Sequence, residues 1–244
     1  MGVKQNEQLP YSTYLQPSHL LDFTHPAITH LIESKGWDTI KGEYERIGDI
    51  YTFVRDEIAY GYTRSFSFPA SMVLTKGYGN CLTKSTLLMA LLRAVGIPCR
   101  FHATTISNVI FRGLLPNVSR KFFSKRPFHA WVEVLYENTW LTMGGHIVDR
   151  PYLLNLQAMF PDYMGSFYDY GIAVLNFKNP DNRWNKNHTY VQNKAIEKDL
   201  GLFDTPDDFF SKFPEAETYT KSFRYKTIMR KRLNKSIQKV RNRG

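Results

Sequence analysis

The sequence predicts a single α+β domain, and three observations carry that expectation. Helix-period segments occupy the first third of the chain and strand-period segments follow them, an order that belongs to α+β architecture. The two clearest strands are joined by the two-residue turn Glu137-Asn138, far too short for the crossover of a doubly wound sheet. Finally, 244 residues of which 43% are apolar can bury a sizeable core unaided. The two cysteines cannot build a disulfide framework, which suits a reducing compartment.

Each element has a local reason. Pro26 at a first helical position, with Ile28, Leu31 and Ile32 on one face, predicts a short helix from Pro26 to Ser34. Tyr44, Ile47, Ile50, Tyr51, Val54 and Ile58 recur at helical spacing until Gly61 and predict a longer amphipathic one. Arg64 to Pro69 reads as a loop and Ala70 to Leu74 as a helical turn. The near-uniformly apolar run Leu82 to Val95, stopped by Gly96-Ile97-Pro98, is a buried helix with Cys81 at its N-terminus. Cys99 to Ile106 and His129 to Tyr136 alternate as strands, and Thr139 to Met143 returns as the hairpin partner. Past Pro151 the composition stays globular, and no linker or internal repeat precedes residue 220. The expected division is a leader over 1–24, one domain with a C-terminal extension over 25–220, and a tail over 221–244.

The net charge of +10 suggests nucleic acid until it is located. Residues 221–244 hold ten Lys or Arg and no acid, leaving 22 basic against 22 acidic residues elsewhere. The body is therefore neutral, and specific nucleic-acid binding is not expected of it. Within the tail, Ile228, Leu233, Ile237 and Val240 recur near helical spacing, as in a helix lying on its own domain; weak binding to anionic surfaces is the other use of such a segment. Removal of everything after Tyr219 is expected to leave the chemistry intact. The first residues lack an apolar stretch of secretory type, and Asn6 stands where a myristoylation pattern needs Ser or Thr. The longest apolar run, Leu87 to Leu92, is too short to span a membrane, so a cytoplasmic protein is expected.

Cys81 is the residue with the most chemical promise. A thiol at a helix N-terminus faces the positive end of the peptide dipole and unpaired N–H groups, which favour the thiolate and could also hold an oxyanion. The plain alternative is a small buried hydrophobe. Cys99 lies beyond the other end of the same helix, about 20 Å away at ~1.5 Å per residue, too far for a bridge. It reads as core. Seven histidines compete for the role of base, and His129 leads because it opens a strand after the basic loop Ser119 to Pro127, whereas His102 sits mid-strand as a hydrogen-bonded histidine would. Zinc-hydrolase, P-loop and serine-hydrolase motifs are missing, the papain cysteine signature is absent, and Gly77-x-Gly79 is explained by any tight turn before a helix. No cofactor or metal is expected.

Two ordered blocks resemble a family. Gly77-Tyr78-Gly79-Asn80-Cys81-Leu82-Thr83-Lys84-Ser85, continued by Leu88 to Arg100, resembles the nucleophile helix of transglutaminase-like proteins; His129-Ala130-Trp131-Val132-Glu133-Val134 with Trp140 resembles their histidine strand and its hairpin partner. The resemblance runs from about Ala70 to Leu153. It implies a papain-like core with the nucleophile helix packed on an antiparallel sheet, and a Cys-His-Asp triad acting on amide or peptide substrates. It makes Cys81 the nucleophile and His129 the base. The family's acid usually stands four residues after the second-strand tryptophan, where this chain has Gly144. A turn at Gly144-Gly145 could bring His146 or Asp149 back towards the end of the strand where His129 projects; Asp149, five residues after Gly144, is then the expected third member, and otherwise it pairs with Arg150 or caps the next helical turn.

The reaction expected is cysteine-dependent acyl transfer through a thioester, of protease, deamidase or transglutaminase type, with hydrolysis favoured and a protein or peptide as substrate. The alternative is a catalytically silent module that keeps the fold, a reading that Gly144 supports.

Overall fold

The computed structural model describes residues 11–117 and 124–243. Most of the expected leader and the end of the chain fall within it, while residues 1–10 and 118–123, including most of the basic loop before His129, lie outside the described residues.

Helices α1 (Pro26–Lys35), α2 (Glu43–Asp56) and α3 (Ala70–Lys76) surround the central helix α4 (Cys81–Ala94). The expected helical turn at Ala70 is a complete short helix. It ends at Gly77, whose φ of +67° is left-handed. Two short strands, β1 (Ala59–Tyr60) and β2 (Tyr78–Gly79), pair in parallel beside the start of α4. Gly79 lies so near that a Cβ there would stand 2.5 Å from Thr83 Oγ1. The glycine pair thus serves a turn and a close approach.

Strands β3 (Cys99–Ile106), β4 (Phe128–Tyr136) and β5 (Thr139–Met143) form an antiparallel sheet, joined on the far side of β3 by β8 (Ile196–Phe203), in the order β5-β4-β3-β8. The β4–β5 turn uses Glu137 and Asn138 at φ +45° and +61°, as a tight hairpin requires. Alternation decides the faces: Cys99, Phe101 and Ala103 of β3, with Ala130, Val132 and Val134 of β4, are fully buried toward α4. Arg100, His102 and Thr104 stand on the opposite face, paired in register with Glu133, Trp131 and His129. Leu87, Leu88, Leu91 and Leu92 of α4 are wholly buried, each contributing about 1.5–3 kcal/mol.

The chain continues through helix α5 (Arg150–Met159), a small hairpin of β6 (Phe167–Asp169) and β7 (Ile172–Val174), and short helices α6 (Pro206–Lys212) and α7 (Glu215–Lys221). After a π-helical turn over Tyr225–Met229 comes α8 (Arg230–Arg241). The basic segment is not removable. Leu233, Ile237 and Val240 are buried, Asn234 makes hydrogen bonds with both backbone groups of Tyr62 (2.7 and 2.9 Å), and Tyr225 Oη donates to Thr63 O at 2.7 Å. Its lysines face outward; of the expected stripe Ile228 is exposed, while Leu233, Ile237 and Val240 complete the core, which truncation after Tyr219 would open. Among the described residues no helix is long and apolar enough to cross a membrane.

Candidate active site

Helix α4 starts at Cys81 because Asn80 caps it. Its Oδ1 accepts from the N–H groups of Leu82 (3.0 Å) and Thr83 (3.3 Å), while Thr83 Oγ1 accepts from Asn80 N at 3.0 Å. The cap thus occupies two of the N–H groups expected to meet an oxyanion. The N–H groups of Ala130, Leu82 and Cys81 itself lie close enough to the Cys81 thiol to favour its ionised form. β5 pairs with β4 only as far as Val132, so the thiol meets β4 beyond the end of that pairing, at the residue next to His129. Cys81 keeps partial exposure in the wall of a cavity of about 240 Å³.

Proton affinities depart from the sequence expectation of a helix-stabilised thiolate. Burial pushes the Cys81 thiol up to about 11, and the three N–H groups oppose that only in part. Burial, reinforced by the charge on His102, pushes His129 down to about 3. At neutral pH Cys81 therefore rests as a thiol and His129 as a neutral imidazole, and His129 is not among the residues that line the cavity beside Cys81. His129 is 2% exposed, and its buried Nδ1 has no hydrogen-bond partner among the described residues; neither has Thr104 Oγ1, its neighbour directly across the ladder.

Asp149 is not on that imidazole. It is the N-cap of α5: Oδ1 accepts from Tyr152 N at 3.0 Å, and Oδ2 accepts from Tyr60 N at 2.6 Å and from the Arg241 guanidinium of α8. Of the two roles sequence reading left open, the structure places Asp149 in the cap. The turn at Gly144-Gly145 does form, as a 3-10 turn over Gly145–Ile147, and neighbouring backbone lies close to it: a Cβ at Gly144 would lie 3.2 Å from Thr189 O, and one at Gly145 2.7 Å from Asn182 Cα. At position 144 a side chain would have to push Thr189 O back by a few tenths of an ångström. The turn carries back His146 instead. Its Nδ1 is 2.6 Å from Met143 O and so bears the proton, leaving Nε2 to accept from Ser85 Oγ of α4 at 3.3 Å. Burial holds His146 at about 3.

His102 is the counterexample. Its Nδ1 is 2.7 Å from Glu133 Oε1 and its Nε2 2.9 Å from Asp199 Oδ1, so both nitrogens donate and the ring is an imidazolium. Burial opposes that charge, but the two carboxylates outweigh it and raise the pKa. Arg100 completes the row, 2.6 Å from Glu133 Oε2. The Trp131 indole touches both histidines, with ring centroids 4.4 Å from His102 and 5.7 Å from His129.

Sequence reading did not single out Lys84, wholly buried one turn beyond Cys81, whose Nζ donates to Arg55 O (3.1 Å) and Ile58 O (2.6 Å). Burial lowers it to about 7 against the pull of Asp149 and Asp56. It also missed the aromatic cavity wall, for which the Tyr60-x-Tyr62-x-x-x-Phe66 run was the available signal. Among the described residues no group of three or more His, Cys, Asp or Glu is arranged to hold a metal ion.

A helix N-terminal cysteine against a histidine strand defines a papain-like arrangement. Residues 34–144, a little under half of the chain, match the model of the Transglutaminase-like superfamily, which generally comprises cysteine-dependent enzymes. Among solved structures, the chain is similar to a proposed cysteine protease from Cytophaga hutchinsonii, at 16% identity and a TM-score of 0.44 over 81% of this chain and 48% of that one. It is also similar to red sea bream transglutaminase, at 17% identity and a TM-score of 0.31 over 56% of this chain and 26% of that one. The chain thus spans about half the length of the first and a quarter of the second. No curated protein matches it.

Proposed function

We propose that this chain is a cysteine-dependent acyl-transfer enzyme in which Cys81 is the nucleophile and His129 the base, acting on amide or peptide substrates with water as the favoured acceptor. The observation that carries this reading is the position of the Cys81 thiol: at a helix N-terminus, in a cavity wall, against the N–H of the residue that follows His129. As the sulfur adds to a carbonyl carbon, its proton passes to His129 and then to the leaving group. The resulting thioester is cleaved by water, which regenerates the thiol.

The resting neutrality of the pair means that the proton moves only as the carbonyl is attacked, so charge develops in the transition state and not before. The Ala130 and Cys81 N–H groups that face the sulfur are the nearest donors for that charge. The second reading, a silent module, draws on Gly144, which carries no carboxylate, and on His129 Nδ1, which has no partner among the described residues.

p-Nitrophenyl acetate separates the two. The enzyme reading expects release of p-nitrophenolate with an acetyl thioester mapped by mass spectrometry to Cys81, lost in Cys81→Ser. Failure of the ester to acylate Cys81 in the folded protein would leave the silent module.

A further inference from the structure

The cavity beside Cys81 is walled by rings. Tyr60, Tyr62, Phe66, Phe111 and Phe128 contribute to it, and Cys81 opens into it. The Tyr60 and Tyr62 hydroxyls lie 3.3 Å apart and bond to each other, so those two side chains are partnered at their polar ends. Tyr62 and Phe111 already meet edge to face at 6.3 Å, the geometry in which a further ring is best received. At about 240 Å³ the space exceeds the ~150 Å³ that holds a benzene molecule and falls short of a drug-sized pocket, which fits one ring on a short linker. The charge at its edge is also informative. Among the described residues its lining contains no Lys, Arg or His, and its one carboxylate is the exposed Glu215 at the start of α7, beside the buried Ala216.

We infer that this cavity is the acyl-side pocket of the thiol site and that it selects substrates whose acyl group carries an uncharged aromatic ring, excluding acidic ones. The inference rests on Cys81 being the nucleophile. An aromatic acyl group would place its ring among Tyr62, Phe66, Phe111 and Phe128 while its carbonyl carbon meets the sulfur. An acyl group ending in a carboxylate would bring its charge into an apolar space with Glu215 at the edge, unfavourable through both desolvation and repulsion.

The experiment compares acylation of Cys81 by p-nitrophenyl phenylacetate, acetate and monosuccinate, each rate divided by that of the same ester with N-acetylcysteine. In each case the sulfur–carbonyl bond forms, the carbonyl–oxygen bond breaks, and p-nitrophenolate leaves. The phenylacetyl ester is expected to exceed the acetyl ester by about tenfold or more, with the succinyl ester below both. Ala216→Leu, which fills part of the cavity, should remove the phenyl preference. The exposed Glu215→Lys substitution should raise the succinyl-to-acetyl ratio even if the leucine variant fails to fold. Equal corrected rates for the three esters, with Cys81 still acylated, would overturn the pocket and leave the nucleophile standing. A phenyl preference that survives in a folded Ala216→Leu protein, or an unmoved ratio in Glu215→Lys, would overturn it too. Failure of all three esters to acylate Cys81 would remove the nucleophile and the pocket together.

Discussion

His102 and His129 stand one diagonal step apart on the same face of the same strand pair, and both touch Trp131, yet they hold protons in opposite ways. His102 is clamped between Glu133 and Asp199 and carries a charge. His129 is buried, no carboxylate among the described residues reaches its Nδ1, and it stays neutral. Sequence position cannot produce this difference, since both lie in alternating strands. What separates them is which partners the rest of the chain delivers: β8 brings Asp199 to one, while the acid expected for the other is spent on Tyr60 and Arg241. A histidine kept neutral can accept a proton, whereas one doubly bonded to carboxylates is a strut.

The largest effect that would break this contrast concerns the acid. Asp149→Asn should cost about 3 kcal/mol of stability, because it leaves the partly buried Arg241 without its countercharge. The acylation rate per folded molecule should stay within about threefold, measured beside urea unfolding; a loss on the order of 10²-fold with stability retained would restore Asp149 to the catalytic group. Next in size, His129→Ala should slow Cys81 acylation at pH 7 by about 10²-fold, the lower range for a general base. His102→Ala should slow it far less. If the order is reversed in folded proteins, the two roles have been exchanged.

Glu133→Gln attacks the strut. It removes the acceptor shared by Arg100 and His102, and a loss of about 2 kcal/mol is expected, below the figure for a fully buried pair because these side chains keep some exposure. NMR titration should show the His102 pKa falling; an unchanged value would mean that Asp199 alone holds the charge.

The remaining effect is on stability against pH. His129 and His146 remain neutral in the fold down to about 3, while the unfolded chain takes up protons near 6.5. The unfolded state binds more protons in that window, so stability should fall as pH drops from about 6.5. His102, raised in the fold, is charged in both states below that pH and adds nothing there. The carboxylates of Asp56, Glu133, Asp199 and Glu217, lowered by their partners, begin to lose stability only below about 4.5. Urea midpoints at pH 6.5 and 4.5 isolate the histidines, and His146→Gln should flatten the difference. A flat wild-type response would mean that these rings are hydrated.

The same contrast marks how far the sequence could be read. The elements around the site were legible because their signals are local: the apolar period and Asn80 cap of α4, the alternation of β3 and β4, and the Glu137-Asn138 turn. The places of Cys81 at the start of α4 and of His129 on β4 followed from those elements. β8 was not legible, since its residues are mostly half or fully exposed and its pairing to β3 joins segments about a hundred residues apart. The role of the tail was half legible: periodicity showed a helix, but only the structure shows Asn234 bonded to Tyr62 and Arg241 to Asp149. The expectation of a thiolate weighed the helix dipole and could not weigh the burial of the thiol, which here outweighs the N–H groups of Ala130, Leu82 and Cys81.

Cys81 and Cys99 offer the most direct test of the central claim that Cys81 is the working thiol. Both are free, and burial pushes both up to about 11, so intrinsic acidity does not separate them. Access does: Cys81 opens on the cavity, while Cys99 is 0% exposed with its Sγ directed at Met89 O. The measurement is intact-mass and peptide mapping of native protein after a limiting dose of iodoacetamide, with and without Cys81→Ser. The account predicts a single adduct at Cys81 and none in the serine variant. Equal labelling of the two thiols, or labelling of Cys99 alone, would contradict it.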